Sequence, residues 1–137
     1  MYLIDTNVWL ETLLRQINST EVEEFLNTVP SDEMVMSDFC LHSLGVILTK
    51  LNKKEIFKDF VEDVFMNGEV TTVSLNANDM EKLVSNMSRF GLDFDDAYQY
   101  TCAKKYGLEI VTFDRDLKGT DVPTHRPSKI TKRFKIK

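Results

Sequence analysis

The stretch Asp96-Ala97-Tyr98-Gln99-Tyr100-Thr101-Cys102-Ala103-Lys104-Lys105-Tyr106-Gly107-Leu108-Glu109-Ile110-Val111-Thr112-Phe113-Asp114 decides the fold. A helix is expected from Asp93 to about Tyr106, with Gly107 at the left-handed position just past its end. Leu108–Thr112 is then a short apolar run between that glycine and the acidic loop Phe113-Asp114-Arg115-Asp116, and it reads as a strand. A helix, a tight turn, a strand and an acid in that order form half of a βαβ unit.

The same alternation continues outward. Tyr2–Ile4 is a short first strand, followed by a helix from Thr6 to about Gln16 with Val8, Trp9, Leu13 and Ile17 near helical spacing. Thr20-Glu21-Val22-Glu23 has capping-box spacing and opens a second helix that stops before Pro30. Met34–Met36 is the next strand. Ser37 or Asp38 caps a helix with Leu41, Leu44, Leu48 and Leu51 at intervals of three and four. A further helix from Lys54 to about Met66 places Ile56, Phe57, Phe60, Val61, Val64 and Phe65 on one broad face, which serves either the core or a homodimer contact. Val70–Val73 is a strand, Asn78-Asp79-Met80-Glu81 starts a helix toward Arg89, and Val122–Thr124 is a last edge strand. Short apolar runs alternating with amphipathic ones specify a three-layer α/β fold, with a central, mostly parallel sheet flanked by helices.

Composition sets the outer limits. The 137 residues are 42% hydrophobic and 28% charged, which suits one globular domain and argues against disorder. No apolar run reaches the ~20 residues that span a bilayer. The Met1-Tyr2-Leu3-Ile4-Asp5 start lacks the basic, then apolar, pattern of a signal peptide. Cys40 and Cys102 fall in helical patterns beside apolar neighbours, so buried free thiols and a cytoplasmic location are expected. The net charge of −5 is uneven: Arg126, Lys129, Lys132, Arg133, Lys135 and Lys137 leave residues 1–125 with 11 basic against 22 acidic residues. The expected division is a domain over 1–125 and a basic C-terminal tail over 126–137. That tail is either an arm for a polyanion or a solvated, frayed end.

The acids fall where chemistry is done in such folds. Ligands of open α/β sheets sit at the carboxyl ends of the strands. Asp5 follows the first strand, Asp38 the second and Asp114 the fourth, while Asp96 lies in the first turn of its helix beside Asp93 and Asp95. An acid in a first helical turn is favoured by the macrodipole in any case. Several acids at equivalent strand ends are a stronger signal, because carboxylates brought together cannot all ionise without a cation. Oxygen-only ligands select Mg²⁺ or Mn²⁺, ions suited to phosphodiester hydrolysis.

Leu3-Ile4-Asp5-Thr6-Asn7-Val8 resembles the N-terminal strand motif of PIN-domain ribonucleases, the fold of VapC-type toxins. Asp96-Ala97, the Ala103–Leu108 helix end and Ile110-Val111-Thr112-Phe113-Asp114 match the family's second half, so the resemblance covers nearly the whole chain. It implies a PIN-like fold and a Mg²⁺- or Mn²⁺-dependent endoribonuclease, with RNA as substrate and an antitoxin as protein partner. It makes Asp5, Asp96 and Asp114 the metal ligands, with Asn7 and Thr112 orienting a carboxylate or water. Asp116 either hydrogen-bonds near the metal or is a surface turn residue. Asp93 and Asp95 are expected to point elsewhere on the helix.

One departure stands out. Many members carry a glutamate on the helix after the second strand; here the stretch is Ser37-Asp38-Phe39-Cys40-Leu41-His42-Ser43-Leu44, with Ser43 at that position. Either Asp38 or His42 supplies the missing function, or the site has one ligand fewer. Four residues apart, the two share a helix face and could cooperate; alternatively Asp38 is a helix cap and His42 a half-buried, satisfied side chain. The departure keeps a second reading open, a weakly active or inactive module that binds RNA or protein. A receiver-like phosphoacceptor fits less well, because no adjacent acid pair ends the first strand.

Overall fold

The structure, a computed structural model, describes residues 1–136. Five strands, β1 (Tyr2–Ile4), β2 (Met34–Ser37), β3 (Thr71–Val73), β4 (Glu109–Val111) and β5 (Thr124–His125), form one sheet in the order β3-β2-β1-β4-β5. Every pairing is parallel. The flanking helices are α1 (Thr6–Leu13), α2 (Ser19–Thr28), α3 (Asp38–Lys50), α4 (Lys54–Val61), α5 (Met80–Phe90), α6 (Phe94–Tyr106) and α7 (Pro127–Lys135).

Side-chain alternation explains the three layers. Tyr2 and Ile4 enter one core with Met34, Met36 and Val111, while Leu3 enters the other with Val35 and Ile110. A central strand buried on both faces has no polar side to spare, which is why β1 reads as a continuous apolar run. Trp9, expected in the core, is fully buried with its ring 5.2 Å from that of Phe60. The chain winds outward from β1 to β3 and returns through β4 to β5, so the carboxyl ends of β1 and β4 lie side by side at the switch point.

Several elements differ in detail from the sequence reading. The Thr20–Glu23 capping box does not form: α2 begins at Ser19 after Asn18, whose amide and side chain are instead held by Glu11 at 3.3 and 3.0 Å. The long helix expected over 54–66 ends as α4 at Val61 and continues as a wider π turn, Glu62–Met66. Gly68 closes this turn so tightly that a Cβ there would lie 2.7 Å from the Val64 carbonyl oxygen. Phe57, Phe60, Val61, Val64 and Phe65 pack into the core, leaving Ile56 and Met66 exposed. The last strand is displaced to Thr124–His125 and pairs with β4. Gly107 ends α6 at φ 67°, as its position suggests. No helix among the described residues is long and apolar enough to cross a membrane.

The basic C-terminal segment is not a frayed end over the described residues; Lys137 lies outside them. Pro127 starts α7, and Ile130, Thr131 and Phe134 share the face turned to the protein. Ile130 is fully buried, and the Phe134 ring meets Tyr2 edge-on at 6.4 Å. Arg126 pairs with Glu21 at 2.8 Å, Arg133 with Glu109 at 3.2 Å, and Lys135 with Glu24. Exposed pairs of this kind contribute about 0–1 kcal/mol each, so apolar burial holds the helix. Ile130→Ala is therefore expected to destabilise the whole domain by about 2–5 kcal/mol. A urea titration checks this, and an unchanged midpoint would mean that α7 is an appendage.

Candidate metal centre

Asp5 is where the site begins. Its backbone amide extends the ladder by donating to Val111 O at 2.9 Å, and its side chain caps α1 by accepting from Thr6 N at 2.8 Å. The same carboxylate is almost fully buried, so it needs donors. Gln99 Nε2 donates to Oδ1 at 3.0 Å, Thr112 Oγ1 to Oδ2 at 2.9 Å, and Asn7 Nδ2 to Oδ2 at a longer 3.4 Å.

Each donor is itself fixed in direction. Thr112 Oγ1 accepts from Asn7 Nδ2 and from the Asp114 amide, both at 3.0 Å, which leaves its single proton for Asp5. Asn7 Oδ1 accepts from Phe113 N at 3.1 Å. On the other side the Gln99 carbonyl accepts from Ser37 Oγ at 2.7 Å, and Ser37 Oγ accepts from Cys40 N at 3.0 Å. That chain commits the Gln99 amide nitrogen to Asp5. Burial raises the Asp5 pKa above the ordinary carboxylate value, Gln99, Thr112 and Thr6 pull it back, and nearby Asp114 raises it further.

Above Asp5 lie three more acids. Asp96 is in the first turn of α6, which Asp93 caps by accepting from Asp96 N at 2.9 Å. Asp114 follows β4, and its Oδ1 accepts from Asp116 N at 3.0 Å in a tight acidic turn. Asp96, Asp114 and Asp116 each present a carboxylate oxygen within 4.8 Å of the other two. Burial pushes the Asp96 pKa up to about 7, reinforced by the charges of Asp93, Asp114, Asp5 and Asp116. These are the properties of a cation site: oxygen donors only, converging, and poorly able to carry their charge alone.

The acids open onto a cavity of about 670 Å³ that Asp5, Asn7, Asp96, Gln99 and Asp114 line on one side. Leu10, Phe39, Val46 and Ile47 supply its apolar lining.

The structure thus brings together Asp5, Asn7, Asp96, Thr112 and Asp114, and it adds Asp116. Asp93 and Asp95 also border the cavity, contrary to expectation, because the start of α6 turns its whole acidic end toward it. Asp38 does not line it. Its Oδ1 accepts from Tyr98 Oη at 2.6 Å and from Phe39 N at 2.8 Å, and of the alternatives left open the cooperating pair with His42 is not formed. The cavity-facing residues of α3 are Phe39, His42, Ser43, Val46 and Ile47, and Asp38 stands about 100° round the helix from Phe39. His42 is exposed rather than half-buried, and Ser43 occupies the wall where a glutamate was expected. Gln99 and Ser37 were missed. Gln99 had a faint signal as a polar residue three positions after Asp96 in an otherwise closely packed helix.

Comparison with known proteins gives a consistent picture. The family model described as PIN domain matches residues 2–123. No curated protein matches the chain significantly by sequence. Among solved structures, VapC20 of Mycobacterium tuberculosis, a Sarcin-Ricin loop cleaving toxin, superposes with a TM-score of 0.75 at 15% identity, covering 89% of this chain and 96% of that one. FitAcB of Neisseria gonorrhoeae gives 0.72 at 23% identity, covering 93% and 98%. A toxin–antitoxin complex from Klebsiella pneumoniae gives 0.73 at 18% identity, again covering 93% and 98%.

The raised pKa values have a measurable consequence. With no cation bound, the folded protein keeps a proton on Asp96 up to about pH 7, whereas an unfolded chain releases it near 3.8, the ordinary aspartate value. The native state binds more protons across that window, so stability falls as pH rises through it. Thermal melting without divalent ions should show a falling Tm between about pH 4 and 7, with Mn²⁺ raising Tm above pH 7 and much less near pH 5. Asp96→Asn should flatten the slope, and an equally steep slope in that variant would remove Asp96 as its source.

Proposed function

The chain belongs to the PIN-domain family, and from that premise we propose that it is a Mg²⁺- or Mn²⁺-dependent endoribonuclease that hydrolyses RNA phosphodiester bonds. One observation carries the reading: Asp96, Asp114 and Asp116 converge above a buried Asp5 at the switch point of the sheet, with Asp96 raised to about pH 7 by burial and by its neighbours' charge. Such an arrangement is unfavourable until a cation offsets it.

In this reading Asp5, Asp96 and Asp114 hold the ion, and Asp116 contributes from the exposed rim. When bound, the ion supplies Lewis-acid polarisation of the phosphodiester and acidifies water for attack on phosphorus. The protein's own part is orientation. Thr112 and Gln99 lock the Asp5 carboxylate between two ladders of hydrogen bonds, and Asn7 ties that lock to the loop carrying Asp114. His42 lines the same cavity and is exposed, which leaves it free to meet the substrate in this reading. The apolar wall of Leu10, Phe39, Val46 and Ile47, where Val46 is 54% exposed, offers a protein partner a surface. An antitoxin is the proposed occupant, which makes the chain the toxin of a pair.

A second reading keeps its own support, since Ser43 puts a hydroxyl on the cavity wall in place of a carboxylate. In it the same cavity binds RNA or protein with little or no cleavage.

The decisive measurement is cleavage of single-stranded RNA with Mn²⁺. Asp96→Asn and Asp114→Asn are expected to reduce the rate more than about 100-fold, and Thr112→Val by about 10–100-fold through loss of orientation. Wild-type rates in Asp5→Asn would overturn the ligand assignment. Tight Mn²⁺ binding by calorimetry without turnover on any RNA would favour the binding module.

A further inference from the structure

The cations of α7 divide into two sets. Arg126, Arg133 and Lys135 are spent on Glu21, Glu109 and Glu24 and pin the helix to the domain. Lys129 and Lys132 make no such pair among the described residues. With Arg115 and Lys118 from the loop after β4 they line a second cavity, of about 330 Å³. None of these four has a carboxylate within 4.0 Å among the described residues.

Position makes this set informative. Asp114 lines both cavities, so four unpaired cations border the acid cluster with one residue as the shared wall. Asp114 is the one acid lining that concavity among the described residues, against four cations without a carboxylate partner, so the cavity carries a local excess of positive charge that an anion would offset. The backbone of α7 does not serve that anion, because Ser128 N already donates to Glu21 at 3.0 Å. Arg126 is also committed, lying 4.8 Å over the Phe113 ring while it pairs with Glu21. The lysines and Arg115 are the free donors.

We propose that this cavity is a phosphate subsite that grips the RNA backbone next to the acid cluster. The proposal rests on the ribonuclease reading above and deepens it by placing a stretch of the substrate strand across α7. Side-chain contacts to phosphate position a strand without reading its bases, so the grip is sequence-tolerant and salt-dependent. Lys104 and Lys105 have no part in it, since they pair with Asp121 and Asp79 and do not line this cavity.

The test is fluorescence anisotropy of a labelled 12-nucleotide RNA in EDTA, where divalent-dependent cleavage is absent, over a series of salt concentrations. Lys129→Ala/Lys132→Ala and Arg115→Ala/Lys118→Ala should each weaken binding by roughly tenfold and reduce the log–log salt slope by about 1.4. Lys104→Ala/Lys105→Ala removes the same charge and should leave binding at the wild-type level. Thermal melts confirm that each variant is folded. Unchanged binding in both cavity variants, equal weakening in the control, or wild-type binding that vanishes in EDTA would each overturn the proposal. Inorganic phosphate binding as tightly as the RNA would also overturn it, by reassigning the cavity to a free anion. Mn²⁺ calorimetry separates the two readings. The cavity variants should keep wild-type Mn²⁺ affinity, whereas a wild-type protein that binds no Mn²⁺ would sink the nuclease reading and leave the backbone result standing.

Discussion

A buried carboxylate is the constraint on which the rest of this structure depends. Asp5 ends the central strand, caps the first helix and sits almost out of reach of water. A lone ionised group in that position would be costly, and the fold answers with donors from α1, α6 and the loop after β4. Those donors draw three distant segments to one point. Thr112 cannot turn toward Asp5 without also fixing the Asp114 amide, and Gln99 cannot do so without engaging Ser37 at the end of β2. The hydrogen bonds that satisfy Asp5 are therefore the same ones that position the acids above it.

Electrostatics is concentrated rather than balanced. The acid cluster and the four unpaired cations border neighbouring cavities that share Asp114, while Arg126, Arg133 and Lys135 are paired with glutamates. Such a gradient is ill suited to a purely structural surface, where opposite charges intermix. It suits a ligand that is itself a cation beside a polyanion. The metal reading and the backbone reading thus meet at Asp114, although each stands on different side chains.

Much of the fold was legible because it follows from local chemistry. The apolar run Tyr2–Ile4, the left-handed glycine after Tyr106 and the acids at strand ends are short-range signals, and the parallel sheet built on them needs no further information. The errors came where local spacing was ambiguous. Thr20–Glu23 has the spacing of a cap but lies one residue inside its helix, and the apolar face after Lys54 continues through a π turn that periodicity does not distinguish from α. The C-terminal segment has the charge of a tail, and only two widely spaced apolar side chains, Ile130 and Phe134, bind it to the core.

By itself, then, the sequence determined which residues end strands and start helices, and so which acids could meet: Asp5, Asp38, Asp96 and Asp114 follow from that placement, and the resemblance to PIN-domain ribonucleases singled out Asp5, Asp96 and Asp114. Only the tertiary structure decided what those acids touch. Asp38 has the right spacing, yet Tyr98 claims it; Gln99 has no motif, yet it holds Asp5; and the tail's cations are sorted by which glutamates α2 and β4 present. The physical reason is range. Backbone pattern is set by residues three or four apart, whereas the direction of a side chain and the partner it finds are set by packing against segments far along the chain.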